Sequence, residues 1–377
     1  MILSKNSSIR TAVFLVAILL CLAEALAQND AGADAAVARR SEDARRLKIA
    51  VFPVFNLSGS TAPLAAMSMR LKEDLKDAEA TLIADDVLDS VITKYRMRYL
   101  GGLDQSTAQA MRQELEADCV LITSLELYSE VIPPKIALTS RLVSTGNPIQ
   151  ILWIDGIGLA GDDAPGLLAH ALVRDPDKLM KRAVDRLAAS LTDFLSGQSK
   201  PADYPAPPKK FRPEIIYRTA VLTAGKTHTV AVVPFFNPSA RSFAGEILEL
   251  HFIRQLWPLE NMRVIEPGVV RQQLLTSRII MNSGISLADA DIIAHRLQAD
   301  FVLNGKVIDY EDYRGFSGKV KVDFSAQLID SASRQVVWSV KSYHEGDEGV
   351  FFFDWGRVNT AYVLASDMVQ LAVQTIE

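Results

Sequence analysis

Cysteine is nearly absent from this chain: two in 377 residues, and one of them, Cys21, sits inside an N-terminal apolar run. With that run removed, Cys119 stands alone and no intrachain disulfide can form. Histidine is almost as sparse. The five, at 170, 228, 251, 295 and 344, include no H-E-x-x-H and no Cys/His cluster, so neither a metal nor any other cofactor is implied. No G-x-S-x-G elbow and no G-x-G-x-x-G turn occurs, which leaves nucleophilic hydrolysis and dinucleotide binding without motif support. The nearest approach to a phosphate loop, AVLTAGKT at 220–227, has Ala220 where the first glycine belongs and leads into a strand, whereas phosphates need a helix N-terminus. The expectation is a protein that is not an enzyme.

Positive charge is also in short supply. The formal net charge is −5, and no basic stripe interleaved with aromatics appears, so no nucleic acid is expected as a partner. Residues 1–27 read as a signal peptide: Lys5 and Arg10, an apolar stretch from Thr11 to Leu22, then Ala25-Leu26-Ala27. Cleavage after Ala27 gives a mature chain from Gln28 with 38 basic and 44 acidic residues, a net charge of −6. Lipidation at Cys21 is disfavoured, because Leu20 stands where a small residue belongs. No other apolar stretch approaches the ~20 residues of a membrane span. An exported chain without a disulfide fits a bacterial periplasm, with outer-membrane association left open.

What the sequence has is a repeat. IAVFPVFNLS at 49–58 returns as VAVVPFFNPS at 230–239, LEADCVLIT at 115–123 as LQADFVLNG at 297–305, and LVSTGNPIQILW at 142–153 as LIDSASRQVVW at 328–338. A period of about 180 residues is that of a whole domain, so the chain reads as one domain written twice. The expected layout is a signal peptide at 1–27, a flexible leader at 28–47, a first repeat at 48–196, a Pro-rich linker at 197–227 and a second repeat at 228–377. The patch EIIYRTAVL inside that linker is apolar without a counterpart before the first repeat.

Each repeat carries the same series of elements. A short apolar run at 49–55 or 230–236 predicts a buried strand, followed by helices near 64–75 or 244–256, 86–95 or 268–277, and 105–116 or 287–298. Asp104 and Ser286 are N-cap candidates for the last of these. Alternating strands at 136–143 and 149–157, or 320–329 and 336–342, predict antiparallel hairpins with one wet face, and amphipathic helices at 178–195 and about 357–375 close each copy. The fold class is therefore α/β, a mixed sheet with helices packed on it, in two homologous domains.

The motifs A-V-x-P-F-x-N, L-x-A-D-x-V-L-x-G and L-x-D-x-x-(S/G)-x-V-V-W resemble a bacterial envelope α/β domain shared by the TolB N-terminal region, CsgG and LpoB. The second copy matches through Ala231, Pro234, Phe235, Asn237, Ala299, Asp300, Gly305, Asp330 and Trp338; the first has Thr123 and Ser144 in place of Gly305 and Asp330. The resemblance implies protein-interaction or assembly work on envelope proteins in biogenesis, secretion or transport, with homo-oligomers among the arrangements seen. A secretion pore is not expected, because 124–135 and 309–319 are polar and too short for membrane hairpins.

Two sets of residues stand out as candidate sites. Phe351, Phe352, Phe353 and Trp355 cannot all face one core from a regular strand, which makes them a candidate partner-binding surface, or else packing between the repeats. Asn56 and Asn237 follow the opening strands, where α/β sheets bind ligands; the structural reading is that each orders its turn. The pairs Asp85-Asp86 and Asp162-Asp163 are read as solvated turns. The alternative function is small-ligand or glycan binding in a crevice between the repeats.

Overall fold

The computed structural model describes residues 46–376 apart from 77, 164–171, 199–206, 220–224, 282, 317 and 351–355. Among the described residues, eight α-helices pack on two six-stranded mixed sheets, which suggests two domains, a first unit built on the first sheet and a second unit built on the second, and Leu47–Glu377 is compact as a whole.

The first sheet runs in the order β3 (Ala80–Leu82), β1 (Leu47–Val51), β4 (Cys119–Ser129), β5 (Lys135–Ser144), β6 (Ile151–Ala160), with β2 (Phe55–Asn56) also beside β4. Strand β1 is parallel to both neighbours, whereas β4, β5 and β6 are antiparallel. The second sheet has the same order, β9 (Met262–Val264), β8 (His228–Val232), β10 (Phe301–Glu311), β11 (Lys321–Asp330), β12 (Gln335–Glu345), and then gains a further edge strand, β7 (Glu214–Arg218). Strand β7 is the EIIYR of the expected linker, paired antiparallel with β12. The connections at 124–135 and 309–319 are in part strand, because β4 runs to Ser129 and β10 to Glu311.

The opening strands are shorter than the apolar runs predict. Strand β1 ends at Val51 and β8 at Val232, each two residues before a proline that has no N–H for the ladder. The helices α1 (Leu64–Asp74), α2 (Asp85–Lys94), α3 (Gln105–Leu115) and α4 (Pro176–Leu195) belong to the first sheet. Helices α5 (Ala244–Leu256), α6 (Pro267–Thr276), α7 (Leu287–Leu297) and α8 (Ala361–Val373) belong to the second. Local chemistry sets their starts: Asp104 accepts from Thr107 N at 2.9 Å and Ser286 Oγ from Asp289 N at 3.0 Å. Asp175 caps α4 with Pro176 in the first turn.

On its near face the first sheet packs Leu121, Leu125, Leu138, Leu142 and Trp153 against Leu187 and Leu191 of α4. The second sheet does likewise, with Leu303, Val307, Phe324, Leu328 and Trp338 against α5 and α8. Here the two sheets part company. Helices α5 and α8 also touch the far face of the first sheet, so they lie between the two sheets. Twelve residues of α5 are buried, among them Glu249, His251 and Arg254, whereas α1 buries only Met67 and Leu71. The wet face expected of the first hairpin is consequently absent: nine successive residues of β5, Lys135–Val143, are buried, while β11 keeps the buried/half-buried alternation of a sheet wet on one side.

Candidate functional site

The seam where α5 and α8 meet the first sheet concentrates the charged groups of the interior. Arg141, on β5, is fully buried; its Nε donates to Glu266 Oε2 at 3.0 Å and its Nη2 to Glu266 Oε1 at 3.0 Å and to Gly101 O at 2.6 Å. Burial alone would lower the guanidinium pKa, but the charge and hydrogen bonds of Glu266, with smaller contributions from Tyr99 and Glu249, together outweigh it and raise the pKa. Glu266 also accepts from Leu103 N at 3.1 Å and caps α6, so one carboxylate of the second unit serves a side chain and a backbone amide of the first. The backbones come close beside it, where a Cβ on Gly102 would stand 2.8 Å from Gly268. No other residue type fits that crossing.

Further along the seam, Glu126 Oε2 lies 3.7 Å from His251 Nε2, both side chains being 1 % exposed. Burial pushes the Glu126 carboxyl up to about 7 and holds the His251 imidazole well below its ordinary range, helped by the Arg254 charge. Near neutrality the imidazole is therefore uncharged. Arg254 Nη1 donates to Gly156 O at 3.0 Å and to Tyr362 Oη at 2.9 Å, and Nη2 donates to Ser366 Oγ; Tyr362 Oη lies 3.2 Å from Thr139 Oγ1. Arg241 Nη2 reaches Glu126 O at 2.5 Å, and Trp257 Nε1 donates to Ile151 O at 2.9 Å. Lys135, 1 % exposed, sits 3.6 Å from Asp312 and 3.5 Å from the centre of the Tyr313 ring; burial lowers its pKa against the pull of Asp312. Every one of these links joins a residue of the first unit to one of the second, or braces one that does. At such burial no substrate reaches Glu126 or His251, so the chemistry of the seam is cohesion.

A cleft of ≈530 Å³ is walled by both units, with Gln105, Asn147 and Gln150 from the first facing Trp257, Arg263 and Gln298 from the second. Arg263 Nη2 donates to Thr229 Oγ1 at 2.9 Å. The lining holds carboxamides, one guanidinium, one indole, the Thr229 hydroxyl and the Met262 thioether among aliphatic residues, and includes no carboxylate, imidazole or thiol. Such a set can bind a polar ligand and has no group for general acid or base catalysis.

Asn56 and Asn237 occupy matching turns. Asn56 Oδ1 accepts from Ser58 N at 2.9 Å and its Nδ2 donates to Ser60 O at 2.9 Å; Asn237 Oδ1 accepts from Ser239 N at 3.1 Å and its Nδ2 donates to Arg241 O at 2.7 Å. Both amides are spent on their own turns. Phe351, Phe352, Phe353 and Trp355 lie outside the described residues. Asp85 and Asp86 open α2, while Asp163 is tied into the fold, accepting from Ala160 N at 2.6 Å and lying 3.3 Å from Asn359 Nδ2. Cys119 is a buried thiol whose pKa burial pushes up to about 11. Among the described residues no group of three His, Cys, Asp or Glu is placed to hold a metal ion, and no helix is long and apolar enough to cross a membrane.

The seam was missed in the sequence, although a signal was present. Arg141 interrupts IALTSRLV and Glu126 interrupts LITSLELY, charges at strand positions where the echoing stretch has Gln327 and Ile308.

No protein-family model matches the chain, and no curated protein does. Solved structures give distant likenesses. A PelC dodecamer from Paraburkholderia phytofirmans aligns over 44% of this chain and 98% of its own at 20% identity and a TM-score of 0.31. The lipoprotein GNA1162 from Neisseria meningitidis aligns over 38% and 98% at 18% identity and a TM-score of 0.28. The C-terminal domain of LpoB from Salmonella enterica aligns over 33% and 90% at 16% identity and a TM-score of 0.26.

Proposed function

We infer that this chain is a periplasmic, non-enzymatic interaction and assembly factor of the bacterial envelope, serving biogenesis, secretion or transport, and built by tandem duplication of one α/β domain. The observation that carries this reading is the open edge of the second sheet. All five residues of β7 are exposed, and Ile215, Ile216 and Tyr217 keep 47%, 58% and 51% of their surface in water. An unshielded apolar sheet edge is a template for another protein's strand. Phe351, Phe352, Phe353 and Trp355 form a proposed second contact surface. The buried acid and base groups of the seam and the polar lining of the cleft agree with binding work.

The test is capture from a cross-linked envelope extract with the exported protein as bait. A defined envelope protein is expected, lost with Ile216→Lys at the β7 edge or with Phe352→Ala/Trp355→Ala at the aromatic segment. Equal capture by the wild type and both variants would sink the reading.

A second reading, small-ligand or glycan binding between the repeats, is favoured by the cleft with Trp257 on one wall and carboxamides on both. Titration with neutral oligosaccharides should then shift the indole fluorescence, and Trp257→Ala should abolish that shift; an unchanged spectrum would dismiss it.

A further inference from the structure

We propose that two copies of this chain pair edge to edge through β7, antiparallel, about a two-fold axis at Ile216. Strand β7 ends the second sheet: one side is on β12, and no described strand lies on the other. Natural edges are commonly blunted by lysine, proline or a bulge. Between Glu214 and Arg218 there is no lysine and no proline, and the one blunting device is the bulge that leaves Ile216 without a partner on β12.

The sequence of the strand is its own complement. Read antiparallel about Ile216, Glu-Ile-Ile-Tyr-Arg sets Glu214 against Arg218 of the second copy, Ile215 against its Tyr217, and Ile216 against its Ile216. Both charged pairs are then opposite in sign and all three central pairs are apolar, the combination that favours cross-strand neighbours. A parallel pairing in the same register would set Glu214 against Glu214 and Arg218 against Arg218. A slip of two residues would set one of the two charges, Arg218 or Glu214 according to its direction, against Ile216 and leave the other without an opposite charge in the strand. Arg218 is exposed, its Nη1 donating to Thr375 O at 3.3 Å, and Glu214 is exposed beside Lys341 of β12. A two-fold contact of this kind closes on itself, so it ends at two copies and joins the two second sheets into one. A five-residue edge is small beside a standard interface, so the dimer is expected to be concentration-dependent.

The proposal rests on reading the β7 edge as a docking surface and commits it to a second copy. It is tested by sedimentation of the exported protein over a range of concentrations. Wild type should pass from monomer to dimer; Glu214→Arg and Arg218→Glu, each placing like charges opposite one another twice, should each weaken association about tenfold. An equal mixture of the two variants should recover the dimer, because the arginines of the first variant would then face the glutamates of the second at both ends of the strand pair, and so should the double swap. That recovery separates edge pairing from a folding defect. Single variants that associate like wild type, a mixture that stays monomeric, or a wild type monomeric at about 100 μM would each overturn it. The two readings also fail separately. A monomer that still captures an envelope protein through β7 removes the self-pairing alone, whereas a dimer that captures nothing removes the assembly role alone.

Discussion

Ile122 and Arg141 face each other across β4 and β5, and Asn304 and Gln327 do so at the matching place across β10 and β11. The first pair is fully buried beneath the second unit; in the second pair Gln327 is half-buried and donates from Nε2 to Asn304 Oδ1 at 2.9 Å. The buried site is the charged one. That inversion has a physical reason: a guanidinium is tolerated at zero exposure only where a carboxylate such as Glu266 meets it with good geometry, so the charge marks a place where another body docks. Where water covers the same position, a neutral amide pair suffices. The seam therefore orients the units more than it adds to their stability, and the second sheet is left with a half-buried face along β11 and, among the described residues, an edge strand β7 with no neighbour on one side.

The sharpest way to break this contrast is Glu266→Ala, which strands a buried Arg141. A loss of about 3–5 kcal/mol is expected in the unfolding free energy from urea titration, and Arg141→Met/Glu266→Leu together should recover most of it. Next comes Glu126→Gln, read as a function of pH. The folded carboxyl titrates near 7 and the ordinary value is 4.5. Below 4.5 folded and unfolded chains both hold the proton, so there is no contribution. Between 4.5 and 7 the unfolded chain releases it first and stability falls as pH rises; above 7 the deficit is constant. The variant should therefore match wild type near pH 4 and exceed it by up to about 3 kcal/mol at pH 8 in denaturant titrations. Tyr362→Phe, which takes an acceptor from Arg254 and a partner from Thr139, should cost about 1–2 kcal/mol by the same measurement. On the wet side, Gln327→Ala should cost about 1 kcal/mol or less. A cost equal to that of Glu266→Ala would erase the distinction between the faces.

The elements were legible because their signals are local. Asp104, Ser286 and the run 244–256 announce a cap, a cap and a helix without reference to anything distant. The strand limits at Val51 and Val232 follow from Pro53 and Pro234 once the missing N–H is weighed against the apolar run. The burial of β5 on both sides was not legible, since its sequence alternates no differently from that of a strand with one wet side. Its cover comes from Glu266, Asp312 and Tyr362, more than a hundred residues later in the chain. Strand β7 escaped because its five residues serve an edge, where no periodicity of burial exists to be read.

A helix sheathed on all sides has a consequence for how this chain is made. Synthesis delivers the first sheet well before α5, and until Ala244–Leu256 and then Glu266 arrive, the face holding Glu126 and Arg141 lacks this cover and its guanidinium this counter-ion. The N-terminal half must therefore wait, loosely organised, for its neighbour, and the two halves should gain protection against proteolysis together in one late step of chain growth.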